Sequence, residues 1–353
     1  MKKIKNYIGG AVLISIFAVL LVITSLDAIA QLVDELGRMS GGYGIKNVLM
    51  YVMLSLPSSI YEYLPLSSLV GCLMGLGMLA ATSELMVIRA AGVSVLSIIW
   101  AVMRPVLLFI ALGLFIGEYV SPVTDQYAES RRALLLGNIR AAEGETGVWN
   151  REGNEYMHFK AVLPNGRLYG ITRLKFDLEG RLLSSTFVET AIYQGSHWFE
   201  ENGVVTHIGT DNTRTETYGT RTWQTEVTPD LLKVLALKPD ELPMQRLYTY
   251  ANYLDRQGLD SSEYHLSFWQ KVLQPLATMS LVLIAISFIF GPLRQVTTGF
   301  RVFSGVIVGI IFRTSQDLLE PLSMIVGISP LYAVLIPIAV CFLVGVILLR
   351  RAV

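Results

Sequence analysis

Charge is scarce in this chain. Of its 353 residues only 16% are Asp, Glu, Lys or Arg, and 52% are apolar. Soluble domains carry about 25% charged residues. The shortage argues against an ordinary soluble enzyme, a disordered chain and a basic nucleic-acid binder. Cysteine is nearly missing as well. Cys72 and Cys341 both fall in apolar runs, so the polar middle of the chain has no cysteine and no disulfide to lean on. The four histidines, His158, His197, His207 and His265, lie in or beside that middle without metal-ligand spacing, and they read as surface or packing residues. No G-x-x-x-x-G-K-[ST] loop occurs, so this chain is not expected to hydrolyse a nucleotide. No H-E-x-x-H and no G-x-S-x-G occur, and no acidic pair sits in an apolar setting that would raise a carboxyl pKa. The chain is read as a non-enzyme without a cofactor.

What is present is long apolar runs, matching a mean hydropathy of +0.51. A bilayer core about 30 Å thick needs about 20 apolar helical residues. Ile8–Leu26, Tyr63–Ser83, Pro105–Gly117 (extended to Val123 if Glu118 sits at an interface), Val272–Phe290, Val302–Phe312 and Leu331–Leu349 supply six spans. The first run is too long for a cleaved signal peptide, and no small-residue cleavage site follows it. Val48–Leu56 is expected to be an interfacial helix, because Val48 to Ser83 is too long for one crossing. Gly71, Gly75 and Gly77 give the second span a face for close helix contact.

Short-loop Lys and Arg set the orientation. With both termini inside, the inner side holds Lys2, Lys3, Lys5, Arg89, Arg104, Arg294, Arg301, Arg350 and Arg351 against Glu84. Residues 124–264, with 15 basic and 20 acidic side chains, are then extracytoplasmic. They read as β. Runs at Glu155–Ala161, Leu168–Phe176, Leu182–Tyr193, His197–Phe199, Val204–Ile208 and Tyr218–Val227 are separated by turns such as Pro164-Asn165-Gly166 and Asn202-Gly203. An antiparallel domain of jelly-roll type follows. Thr228-Pro229-Asp230 reads as a helix start, and Leu247, Tyr250, Ala251 and Leu254 as one helix face ended by Gly258. The expected organisation is three spans in 1–123, a β domain in 124–264 and three spans in 265–353.

Ionisable groups in or beside a span point to function by default. Arg313 interrupts the fifth span and either snorkels to the outer interface or meets an anion in a cavity. Arg131 and Arg132 are either a solvated stalk or a phosphate clamp, for which the guanidinium fork is suited. Arg38 and Lys46 belong with them, and Asp27 reads as interfacial. Residues 83–92 make an inner loop too apolar for its place. It opens with hydroxyl residues and Glu84, carries Arg89, and closes on Gly92. It is either a helix lying on the membrane or a docking helix for a soluble partner, with Glu84 and Arg89 as polar anchors.

Ser83-Glu84-Leu85-Met86-Val87-Ile88-Arg89-Ala90-Ala91-Gly92, Phe268-Trp269-Gln270-Lys271 through Gln274-Pro275-Leu276, and Ser287-Phe288-Ile289-Phe290-Gly291-Pro292-Leu293-Arg294 resemble the lipopolysaccharide-export permeases LptF and LptG. The likeness covers essentially the whole chain. The last of these runs and the Leu36–Tyr51 region look closer to the LptG branch. The resemblance implies an α-helical membrane permease with six transmembrane helices and an inserted periplasmic antiparallel β domain. It implies pairing with LptF in the inner membrane of Gram-negative bacteria, a cytoplasmic LptB dimer that hydrolyses ATP, and LptC docked at the periplasmic side. It places Glu84 at the coupling-helix carboxylate, Arg132 with Arg131 at a lipopolysaccharide-contacting arginine, and Arg38 at a basic position beyond the first span. Related members have lysines where this chain has Gln31 and Ser58, and Arg313 is read as replacing some of that lost charge. A lipoprotein-release type permease usually has four spans and an early soluble domain, unlike this layout. A non-transporting receptor or scaffold and an intramembrane enzyme are the other readings; a scaffold need not copurify with an ATPase, and no catalytic set supports the enzyme.

Overall fold

The computed structural model describes residues 2–39, 42–140, 148–162, 167–209, 212–229, 231–232, 239–256, 260–291, 296–326 and 329–352. The turn at 164–166, Gly258 and the Pro292–Arg294 stretch lie outside the described residues. Among the described residues six helices are long and apolar enough to cross a membrane, three before the β region and three after it. They are α1 (Lys2–Leu36), α2 (Ile45–Ala81), α4 (Val95–Phe115) continued through a π turn into α5 (Ser121–Arg140), α7 (Ser262–Phe290), α8 (Thr298–Val326) and α9 (Pro330–Ala352). The short α3 (Glu84–Ala90) joins α2 to α4, and α6 (Met244–Arg256) precedes α7.

The interfacial helix expected at Val48–Leu56 is instead the first part of α2, which runs unbroken through Pro57 and Pro65. At about 1.5 Å per residue such a helix is about 55 Å long. Two contacts make this possible. Pro65 has no N–H for the carbonyl of Tyr61, and Gln274 of α7 supplies one, its Nε2 donating to that oxygen at 3.1 Å. The first turns of α2 pack against α1 and α5, where Tyr43, Val48 and Leu136 are buried together with Leu32 and Leu135 beside them. The extension is thus a three-helix stalk, neither lying flat nor crossing twice.

The small-residue face of α2 does close contact work. A Cβ on Gly71 would lie 2.5 Å from Ile16 Cα, and one on Gly75 would lie 3.0 Å from Val12 Cα. Gly77 faces Arg301 instead. Arg301 is therefore not a charge of the inner loop: it belongs to α8 and is 2% exposed.

The middle forms one six-stranded antiparallel sheet in the order β1-β2-β3-β4-β5-β6. The strands are Val148–Glu152, Glu155–Val162, Arg167–Phe176, Leu182–Tyr193, Trp198–Ile208 and Thr213–Trp223. The antiparallel class is as expected. The connectivity is a sequential meander, because each described strand pairs with its predecessor, and no jelly-roll crossover occurs among the described residues. Phe159, Ile171 and Val188 share a rung and are fully buried. The same rung continues through Gly203 to Tyr218. Asn202-Gly203, expected to turn the chain, lies inside β5. Asn202 takes a positive φ of 56° and Gly203 lies under the Tyr218 ring, so the pair bends the strand without ending it. The buried face is closed by the segment after β6: Trp198 Nε1 donates to the Val227 carbonyl at 2.7 Å, and Val227 and Leu232 join the core. Thr228 does cap the helix start, accepting from the Leu231 N–H at 3.3 Å. Leu247, Tyr250, Ala251 and Leu254 are all buried on α6, as their spacing predicts. Glu118 in the π turn accepts the N–H of Met244, the first residue of α6, at 2.9 Å. That bond fastens the third span to α6.

Candidate transport cleft and coupling surface

Two of the arginines singled out above, Arg38 and Arg132, meet on the stalk. Glu35, only 3% exposed, is their anchor. Its Oε1 accepts from Arg38 at 2.9 Å and from Arg132 at 3.0 Å, and its Oε2 accepts from Tyr43 at 2.8 Å. Glu129 accepts from Tyr51 at 2.7 Å and from Arg132 at 3.2 Å. The Arg132 guanidinium also lies 5.1 Å from the centre of the Tyr51 ring. Burial works against the charge of Arg132, but Glu129 and Glu35 outweigh it, and its pKa lies above the usual arginine value. Burial, the bond to Glu35 and its negative charge push the Tyr43 hydroxyl up. Arg132 is thus committed to holding α1, α2 and α5 together.

Its neighbour differs. Arg131 makes two long hydrogen bonds to neutral acceptors, Tyr127 Oη and Asn47 Oδ1, both at 3.4 Å. Among the described residues no carboxylate lies within ion-pair distance of it. Arg38 is 46% exposed and has one carboxylate, which it shares. These two guanidiniums are the ones with hydrogen-bonding capacity to offer a ligand.

Arg313 is not part of this group. It lies in a cleft of about 710 Å³ between α2, α7 and α8, where Glu62 pairs with it at 2.9 Å and Asp317 at 3.2 Å. Leu66, Ala277, Leu281, Ile310 and Ile338 give the cleft apolar wall, and Gln270, Gln274 and Lys271 give it a polar side. Lys271 is buried and donates to the Leu242 carbonyl at 2.6 Å. The sequence offered no sign of that contact, since Leu242 is 29 residues away. Gln31 and Ser58, where the resemblance implies lysines, are both engaged by acids. Gln31 donates to Asp27 at 2.6 Å, and Ser58 donates to Asp125. Asp27 also accepts from Ser59 and Tyr63, which makes it a helix-joining group and not a simple interfacial one.

At the opposite end of α2, α3 stands as a short knob. The hydroxyl cap expected at Thr82-Ser83 is absent. Ser83 takes a left-handed backbone with φ 63° and its side chain caps nothing. Glu84 is instead held by Tyr7 Oη at 2.7 Å and Thr82 Oγ1 at 3.0 Å. Gly92 ends the helix as expected. With φ +84° it donates to the Arg89 carbonyl, and Val93 donates to the Ile88 carbonyl, closing a Schellman motif. Leu85 is buried at 5%, and the Arg89 guanidinium lies 5.5 Å from the Phe290 ring centre. The outward side is left apolar: Met86 is 55% exposed and Val87 67%. A rigid helix that points two apolar side chains away from its own bundle is suited to a partner's pocket.

Comparison with known proteins agrees over the full length. The profile of the family described as lipopolysaccharide export system permease LptF/LptG matches residues 6–351. The chain is 34% identical over 350 residues to the lipopolysaccharide export system permease protein LptG of Escherichia coli strain K12, covering 98% of this chain and 97% of that protein. It is 33% identical over 340 residues to the protein of the same name from Haemophilus influenzae strain KW20, covering 96% and 95%. Six spans, an inserted antiparallel sheet and a match across both halves lead to one conclusion: the chain belongs to the lipopolysaccharide export system permease LptF/LptG family.

Proposed function

We propose that this chain is a permease subunit of an ATP-binding-cassette transporter that extracts lipopolysaccharide from the inner membrane and passes it to a periplasmic bridge. The observation that carries the reading is the match to named LptG proteins over 98% of the chain, 34% identical in the Escherichia coli case. An LptF subunit is its membrane partner. An LptB dimer binds α3 and supplies the hydrolysis, with Met86 and Val87 buried in the contact and Glu84 and Arg89 fixing the helix that presents them. LptC docks beside the β domain. Both termini lie in the cytoplasm and the β domain in the periplasm. A lipoprotein-release permease is disfavoured by the family match over residues 6–351.

The arginines divide the work. Arg131 and Arg38 bind headgroup phosphates at the outer mouth. Arg132 keeps the stalk in shape for them. Arg313 adds a cation at the cleft once Glu62 or Asp317 yields it. Acyl chains need an apolar wall, which the exposed faces of α1 and α8 supply through residues such as Phe17, Leu21, Phe303 and Ile307. The orientation is tested by Asn165→Cys labelled with a membrane-impermeant maleimide in intact spheroplasts, with Cys72 and Cys341 replaced by serine. Labelling without lysis is the expected result, and labelling only after lysis would reverse the topology.

A further inference from the structure

Arg301, Gly305, Gly309 and Arg313 recur every four residues, so they form one face of α8. Each meets α2. Arg301 Nη1 donates to the Gly77 carbonyl at 2.7 Å. A Cβ on Gly305 would lie 2.5 Å from Leu73 Cδ1, and one on Gly309 would lie 2.2 Å from Leu66 Cδ1. Arg313 Nη2 pairs with Glu62 Oε1 at 2.9 Å. The two helices are antiparallel, with an arginine at each end of the contact and Gly305 and Gly309 between them leaving room for Leu73 and Leu66 of α2.

We propose that α8 is hinged on α2, with Arg301 as the fixed inner pivot and the Arg313–Glu62 pair as an outer latch that opens the cleft. The two pins differ in the way a hinge requires. Arg301 is 2% exposed and its guanidinium is bonded to a backbone carbonyl of α2, so this end of the helix is held in place. The side chains of Arg313 and Glu62 are 58% and 45% exposed, and pairs so exposed are weakly held and open to competing ions. Asp317 lies on α8 itself and binds Arg313 Nε at 3.2 Å, so Arg313 keeps a carboxylate when Glu62 lets go. Along its most apolar stretch 17% of α8 is buried, against 67% for α2, and Phe312 is its buried apolar anchor in the bundle core. Glu62, Leu66, Gly309 and Arg313 all line the cleft, so outward movement of the outer half of α8 widens it toward the bilayer. The hinge is a property of the bundle and holds whatever the cargo is.

Pairs of spin labels on the chain, assembled with its partner subunits in lipid nanodiscs without nucleotide or lipopolysaccharide, test the hinge. Cys72 and Cys341 are first replaced by serine. Met53→Cys with Leu318→Cys reports the outer end, and Met78→Cys with Phe300→Cys reports the inner end; all four side chains are exposed. In Glu62→Gln the outer distance should lengthen by several ångströms while the inner one stays fixed. The charge exchange Glu62→Arg with Arg313→Glu should restore the outer distance. An unchanged outer distance in Glu62→Gln, equal shifts at both ends, or failure of the exchange to restore would each overturn the proposal. Because no cargo or ATP is present, failure here leaves the transport reading untouched, and failure of transport leaves this result standing.

Discussion

Met86→Asp is expected to release the ATPase from the permease. The side chain is 55% exposed on a helix whose other side is locked by Leu85, Arg89 and the Gly92 cap. In the proposed contact it enters a dry pocket together with Val87. Burying such a side chain contributes about 1.5–3 kcal/mol, and an unpaired carboxylate in its place costs more. A loss of at least about 2 kcal/mol corresponds to roughly 30-fold weaker binding. Copurification of the ATPase with the tagged permease would read this directly. Glu84→Ala should act differently. Both carboxylate oxygens brace α3, one against Tyr7 of α1 and one against Thr82. Without them the knob remains but its movement is passed on poorly, so hydrolysis continues while transport per ATP falls. Normal association and normal transport in Glu84→Ala would count against α3 as the coupling element.

The second large effect is expected at the stalk, where two adjacent arginines should fail for different reasons. Arg131→Ala with Arg38→Ala should cut lipopolysaccharide crosslinking about tenfold or more, since a hydrogen bond to a charged group contributes about 1.5–3 kcal/mol. Melting of the purified complex should barely move, because Arg131 holds only neutral partners and Arg38 is half exposed. Arg132→Ala should instead destabilise by about 3–5 kcal/mol, the usual result of removing one member of a buried pair. Glu35 would keep Arg38 but lose its less exposed partner. A melting curve beside a crosslinking assay separates the two outcomes. Equal loss of stability in both variants would mean that Arg131 and Arg38 are structural as well.

The spans were legible in the sequence because lipid imposes a single demand, about 20 apolar residues each. The small-residue face of α2 and the α6 stripe were legible for the same reason: periodicity alone marks a buried face. Continuity was harder to read. Pro57 and Pro65 look like breaks, and only the Gln274 side chain, 213 residues downstream of the Tyr61 carbonyl it binds, explains why α2 passes through Pro65. β1 was missed because Val-Trp-Asn-Arg-Glu is a short, mostly polar edge strand. β6 was placed too late because its Thr-rich first half is exposed and carries no apolar alternation. Asn202-Gly203 has the composition of a hairpin turn, and its use as a bend inside β5 depends on Tyr218 from the next strand. The arginines themselves were visible as misplaced charges. Their partners on other helices were not, since Glu35 reaches Arg132, Glu62 reaches Arg313 and the Gly77 carbonyl reaches Arg301 only through packing between helices. Arg301 shows the cost of counting charges by loop: counted with the inner-side loop charges, it is the fourth residue of α8 and lies buried against a carbonyl.

In the proposed function this chain forms the membrane path for lipopolysaccharide while another subunit hydrolyses the ATP. The most direct test of that role is reconstitution of the purified chain with its permease partner, ATPase and docking subunit in liposomes containing lipopolysaccharide. ATP-dependent release of lipopolysaccharide to a soluble periplasmic acceptor is expected, and Met86→Asp in α3 should abolish it. Release that proceeds without this chain, or an intact complex that hydrolyses ATP and leaves all the lipopolysaccharide in the bilayer, would contradict it.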